Sequence, residues 1–549
     1  MVYWFFLASF CSVAQDFKLL VQGNNQYAAK NWEEAEKSFR KIVEVNPYNG
    51  ENFYKLGWIH YHLEEYNEAA QHFSMAFQIG YAKALSSYNA ACALALAGNQ
   101  EQAMEWLSTS LKNGLQDHEG TVRSDSDLDI LKATSEYLQL FPNPAAEMDR
   151  EEGWRMDITY FKRKFELMHY RLFSLIDRLT WEQRFDELLA EVPTLSDTQI
   201  IVKLMQLANS TGAGHSYVVP PFQGAFHFQQ LPIELYEFSD GIYIRKAHKE
   251  YQDLLEKKVL EVDGKPVGTV LEALQSVSNP ENSIIGRWTG LFYMTLTDVL
   301  AGLDLAASRD EIVLTVLEGE EKKSVAVKSQ PFDPTIIMGK SLPQGWVDTA
   351  EKLPLFHKRA GQPFLYEVDD ENGFVYAQIN QVRNGKEQSL QNFGKTIVRA
   401  AEQNNCSLVI DLRLNNGGNG MLVKDFLLEI VGSAHVNRPG NFYVLIGRKT
   451  FSAAMLLASK LDEYTHATFI GEPTGGKPTH IGDDNNFSLP YSGLIASASM
   501  TLWQSAVSYD DREWIAPDVF VPTSIEDYRL GKDPVMEAIG ELMMSLKEQ

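Results

Sequence analysis

Apolar residues recur at helical spacing through the first hundred residues, and the spacing itself repeats as a block. Ala35, Ala69 and Ala103 lie 34 residues apart in similar frames: Trp32-Glu-Glu-Ala35-x-x-x-Phe39, Tyr66-x-x-Ala69-x-x-x-Phe73 and Gln100-x-x-Ala103-x-x-x-Leu107. One helix earlier, Gly23, Gly57 and Ala91 keep the same period, and Pro47 closes the first block. Small residues at fixed positions let paired helices approach closely, and large apolar ones fill the gap between neighbours. The pattern predicts a stacked all-α repeat array over 15–132. From Met156 to Ala208 it stays helical: Ile158, Phe161, Phe165 and Met168 recur at three and four residues, and Ile176, Leu179 and Phe185 extend apolar faces. Ser196-Asp197 reads as an N-cap before Ile200 and Leu204, and that helix stops at Ser210-Thr211-Gly212. A helical segment is thus expected over 150–220.

Past Phe226 the period changes. Gly241-Ile-Tyr-Ile244 and Val259-Leu-Glu-Val262 read as strands, and Asp263-Gly264 is a hairpin turn signal. A β-rich domain is expected over 226–332. From Phe364 the apolar runs are continuous: Phe374–Ile379, Ser407–Leu412, Phe442–Ile446 and Ala467–Ile470. Helices fit between them, which predicts crossover units and a largely parallel sheet in an α/β core over 364–530, closed by a helix over 531–549. The 34-residue block resembles the tetratricopeptide repeat, which implies a concave face for a protein partner. The stretch Lys258-Val-Leu-Glu-Val-Asp-Gly-Lys-Pro-Val267 resembles the closing half of a PDZ-like module, which implies that the β-rich domain is a divergent substrate-docking one.

Composition narrows the function. With 549 residues the chain exceeds one hydrophobic core, so several folded units are expected. Lys+Arg 49 against Asp+Glu 73 gives a net charge of −24. That balance argues against a nucleic-acid partner, whose phosphates need a cationic face, and against an anionic membrane surface. It is compatible with a protein that handles peptides or other small substrates. The apolar run Val2–Phe10 followed by Ser12-Val-Ala14 reads as a signal peptide over 1–14, hence export to the periplasm or the extracellular space. No later segment approaches the roughly 20 apolar residues needed to span a bilayer. Three cysteines, Cys11, Cys92 and Cys406, form no metal spacing, and the twelve histidines contain no HExxH, so neither metal nor cofactor is implied.

Three segments carry candidate chemistry. Asp411-Leu-Arg-Leu-Asn-Asn-Gly417-Gly418 follows a buried strand, and its paired glycines can expose backbone N–H groups as half of an oxyanion hole. Ser452 opens Ser-Ala-Ala-Met455 at a strand-to-helix turn. There its hydroxyl is exposed, and the Ala453 N–H is the natural second oxyanion donor. Seen alone, a Ser at a helix start is more often an N-cap. Lys477 closes Gly471-Glu-Pro-Thr-Gly-Gly-Lys477, 25 residues after Ser452, and serves as a base only if burial lowers its pKa.

Together these segments resemble the C-terminal-processing, or tail-specific, serine peptidases, which share Asp-Leu-Arg-x-Asn-x-Gly-Gly, Ser-Ala-Ser/Ala and Gly-Glu-Pro-Thr-x-Gly-Lys. Ile515-Ala-Pro-Asp-Val519 fits as well. The resemblance implies a ClpP/crotonase-like core, Ser452 as nucleophile, Lys477 as base, the Gly417, Gly418 and Ala453 amides as oxyanion donors, and a polypeptide substrate. Two departures matter. Met455 stands where many members place Glu. Gly212-Ala-Gly-His215-Ser216 looks more like the tricorn-related and retinoid-binding-protein-related branch, in which a His activates the Ser and a downstream acid, here near Asp510-Asp511, completes the set. His215 therefore competes with Lys477 for the base, with His480 behind both. The retinoid-binding relatives keep open a second function, a catalytically degenerate binding or adaptor protein on a peptidase fold.

Overall fold

The computed structural model describes residues 16–115, 120–143, 148–338, 342–350, 352–508 and 510–547. The proposed signal peptide over 1–14 lies outside them. The chain divides into two compact units, Met1–His169 with Phe487–Gly493, and Tyr170–Asn486 with Leu494–Gln549.

The first unit is a helical array. After a helix over 16–28 come α1 (Trp32–Val45), α2 (Gly50–His62), α3 (Tyr66–Ile79), α4 (Lys83–Leu96) and α5 (Gln100–Lys112). Ala35, Ala69 and Ala103 are fully buried, as the period requires. A Cβ on Gly57 would lie 2.5 Å from the Phe73 ring, so only glycine lets α2 and α3 pack this closely. Helix α6 (Arg150–Met168) is capped by Asp149 and buries Trp154, Phe161 and Phe165. Cys92 meets Asp125 and Asp127 within this unit, a grouping the sequence spacing does not reveal. Those carboxylates already accept from the hydroxyls of Tyr88 and Tyr61.

In the second unit, α7 (Asp197–Asn209) starts on the expected cap. Ser196 and Gln199 form a reciprocal capping box, which satisfies two otherwise orphan donors. A seven-stranded sheet follows. Its strands include β1 (Ile233–Phe238), β2 (Gly241–His248), β3 (Lys258–Val262), β4 (Glu311–Glu318), β5 (Glu321–Lys328) and β6 (Trp346–Asp348). Asp263 and Gly264 both have positive φ and join β3 to Lys265–Pro266, the left-handed pair that a two-residue hairpin turn demands. Strand β6 pairs with β2 beyond the expected end of this domain at 332. The stretch also contains helices, among them α8 (Ser283–Thr295), started by Asn282, whose side chain accepts from Ile284 and Ile285.

The core sheet runs β7 (Phe364–Asp369), β8 (Phe374–Ile379), β9 (Ser407–Asp411), β10 (Phe442–Ile446), β11 (Thr468–Gly471) and, at its edge, Val519–Phe520. Only β7 is antiparallel to its neighbour among these described strands. Helices α9 (Leu390–Gln403), α10 (Val423–Val431) and α11 (Ala453–Tyr464) are the crossovers. One face of the sheet, with Val375, Ile410 and Val444, packs on Phe393, Phe426 and Leu457. The other, with Tyr376, Val409 and Tyr443, packs on Val535 and Ile539 of α12 (Pro534–Lys547). Burial on both faces explains the unbroken apolar runs, each such side chain contributing roughly 1.5–3 kcal/mol. Because the strands are parallel, the loops after β9, β10 and β11 leave from one edge, where open α/β sheets bind their ligands.

Candidate active site

Ser452 lies at the turn from β10 into α11 with φ 55° and ψ −125°, a conformation that costs a non-glycine residue about 1–3 kcal/mol. Its side chain makes no capping hydrogen bond, which removes the ordinary reason for a serine at a helix start. The loop is pinned on both sides. The Phe451 N–H donates to the Asn415 carbonyl at 3.2 Å, and Thr450 Oγ1 donates to the Leu412 carbonyl at 3.1 Å.

Gly417 (φ 118°) and Gly418 (φ 139°) pass directly beside this turn. A Cβ on Gly417 would fall 2.7 Å from Ser452 Cβ, and one on Gly418 would fall 2.3 Å from the Val382 carbonyl oxygen. Both positions therefore require glycine. Their amides differ, however. The Gly417 N–H donates to Asn415 Oδ1 at 3.0 Å and is committed. The Gly418 and Ala453 N–H groups have no acceptor among the described residues. These are the two amides free to receive a developing negative charge beside Ser452.

His215 follows α7 and leads into Tyr217–Val218, a short strand paired with β13 (Ile495–Gln504), which in turn pairs with β12 (Thr479–Ser488). That sheet brings His215 Nδ1 to 2.6 Å from Asp484 Oδ1, across 269 residues of sequence. The His215 ring stacks on Phe451, the neighbour of Ser452, with centroids 5.1 Å apart. Its Nε2 is buried with no partner among the described residues. With Nδ1–H donating to Asp484, Nε2 carries the lone pair. Burial pushes the imidazole pKa down, but the Asp484 hydrogen bond and charge, with Glu281 and Asp483 adding, outweigh it and leave the pKa raised. His480, 6.2 Å away ring to ring, is lowered to about 4 by burial and by the charge of His215.

Lys477 is held by an acid. Its Nζ is 2.8 Å from Glu513 Oε2 in a partly exposed ion pair. What its loop does present inward is its backbone: the Lys477 N–H donates to Glu281 Oε1 at 2.9 Å. Met455 is fully buried and packs against Gly476, which the Glu281 carboxylate also adjoins. The downstream acid expected near Asp510-Asp511 is also engaged elsewhere, since Asp510 is bonded to Arg512. Asp484 takes that place on the imidazole. Sequence reading missed Asp484 and Glu281; the acidic pair Asp483-Asp484 six residues past Lys477 was the available signal for the first.

Glu281 is buried between Gly214 and Gly476, and its Oε2 has no partner among the described residues. Burial raises its carboxyl from 4.5 to about 7. The folded protein therefore holds a proton that the unfolded chain has lost, and stability falls as pH rises between those two values. Glu281→Gln keeps the acceptor for Lys477 N–H and removes the titration. It is expected to flatten this slope and to stabilise the fold near pH 8 by roughly 2–3 kcal/mol. Urea unfolding at about pH 5 and about pH 8 checks this; an unchanged slope would place the titration elsewhere.

No family model matches the chain, and no curated protein matches it. Solved structures do. Mature CPAF complexed with lactacystin is matched with a TM-score of 0.51 at 15% identity, over 72% of this chain and 98% of that one. A serine-to-alanine CPAF mutant gives 0.52 at 14% identity, over 73% and 98%. Mature CPAF alone gives 0.50 at 15%. At such identities the likeness speaks for the fold alone, over about 72% of this chain.

Proposed function

We propose that this chain is a serine peptidase that cleaves polypeptides by acyl transfer through Ser452, with His215 rather than Lys477 as general base. The observation that carries the reading is the unpartnered, buried Nε2 of His215, stacked beside the Ser452 turn with its opposite nitrogen held by Asp484. In the proposed first step Ser452 Oγ attacks the scissile carbonyl carbon and its proton passes to His215 Nε2. The tetrahedral oxyanion accepts from the Gly418 and Ala453 amides. The C–N bond then breaks and the leaving amine takes the proton from His215. Water, deprotonated by the same nitrogen, attacks the acyl-enzyme and frees the acid and Ser452. Asp484 holds the tautomer and stabilises the imidazolium. Lys477 is unsuited to the base role because its ammonium is committed to Glu513 in a partly exposed ion pair.

The helical array extends this reading to a protein partner held on its face, and the leader over 1–14 extends it to export; both rest on sequence. Among the described residues no helix is long and apolar enough to cross a membrane. A fluorophosphonate probe tests the chemistry: the adduct is expected on Ser452 in a tryptic digest, and prior incubation with lactacystin, bound in a CPAF structure, is expected to reduce it. An unlabelled protein that also leaves casein intact would favour a degenerate binding protein.

A further inference from the structure

A second feature sits at the same sheet edge, on the other side of the loop that ends in Ser452. A cavity of about 100 Å³ opens where the ends of β10 and β11 meet β1, β2 and the start of α12. In a chain of net charge −24, its lining carries Arg245, Arg413, Arg448, Lys449 and Lys532 against only two acids, Glu472 and Asp533.

The pairings leave a cationic surplus. Arg448 is bidentate to Glu472, at 2.7 and 2.9 Å, and Arg413 spans Asp411 and Asp533. Arg245 gives one Nη2 to Glu234, but its Nε is buried and has no partner among the described residues. That side chain belongs to a residue only 9% exposed. Lys449 has no carboxylate partner among the described residues; its Nζ lies 4.8 Å from the Trp288 ring centroid. A buried cationic donor without an acceptor is costly, and a matching anion removes that cost.

The donors are also rigidly presented. Arg245 stacks over Tyr236 at 4.4 Å and Arg413 over Phe356 at 3.9 Å, which holds two guanidinium planes in place before anything binds. Burial, with the charges of Arg245 and Lys246, lowers Lys449 to about 8, which fits a cation short of anionic neighbours.

We propose that this cavity is a binding site for a small oxyanion, a phosphate or carboxylate group, held by Arg245 Nε and Lys449 Nζ. The aromatic walls suit a ligand whose anionic group continues into an apolar or planar part. Neither Arg245 nor Lys449 belongs to the proposed catalytic set, and the site stands whether or not Ser452 is a nucleophile.

The test is calorimetric titration of the full-length protein with inorganic phosphate and, separately, with acetate, at constant ionic strength set with chloride. Saturable one-to-one binding of at least one of them is expected, with a higher Tm in its presence than in chloride. The arm that saturates at lower concentration names the anion. Lys449→Met, which keeps the side-chain length, is expected to weaken binding at least tenfold, and Lys449→Arg is expected to retain it. Circular dichroism confirms that each variant is folded. If Lys449→Met does not fold, Lys449→Arg and the wild type still decide. Absence of saturable binding of either anion to the wild type overturns the proposal, as does unchanged affinity in a folded Lys449→Met protein.

Discussion

Replacing Ser452 with alanine is expected to lower peptide hydrolysis by on the order of 10⁴–10⁶-fold and leave the fold intact. The rate falls because the substitution removes the hydroxyl that stands beside the Gly418 and Ala453 amides. The fold survives because the Ser452 side chain caps nothing and its removal leaves no partner unsatisfied. Stability is expected to change by less than about 1 kcal/mol, since a methyl group inherits the same strained backbone. Hydrolysis of a quenched fluorescent peptide, beside a thermal melt of each protein, measures both. Wild-type turnover by a purified Ser452→Ala protein would end the assignment.

The second large effect separates the two bases. His215→Gln is expected to slow single-turnover acylation by about 10³–10⁴-fold, while Lys477→Met changes it by less than about threefold. The Lys477–Glu513 pair is partly exposed, and such pairs contribute roughly 0–1 kcal/mol, so its loss should cost little stability either. The pH profile gives an independent readout. A base acts when deprotonated, so activity rises as pH increases through its pKa, and His215 is raised above the usual 6.5. The acid limb of kcat/KM is therefore expected above that value. Asp484→Asn removes the carboxylate that raises it, so the limb should move to lower pH as the maximal rate falls. A dead Lys477→Met beside an active His215→Gln would restore the lysine as base.

Local signals in the chain were reliable where the physics is local. The 34-residue period placed Ala35, Ala69 and Ala103 in tight packing because close helix contacts tolerate only small side chains. Unbroken apolar runs marked β8, β9 and β10 because both faces of that sheet are covered. Asp263-Gly264 specified its turn and Ser196 its cap because both act on their own backbone. The β-rich label for 226–332 was incomplete: α8 is apolar enough to resemble a buried strand run, and length alone separates the two readings.

Local signals in the chain put Ser452, Gly417 and Gly418 at strand ends of a parallel sheet, since strand ends and glycine turns are written within a few residues of each motif. Which groups surround them depends on the packing of distant segments. It set His215 against Asp484, directed Lys477 to Glu513, committed the Gly417 amide to Asn415, and gathered Arg245 and Lys449 into one cavity. Those choices depend on side chains tens to hundreds of residues apart. Hydrophobic periodicity reports which face of an element is buried, but not which distant polar group it will meet there.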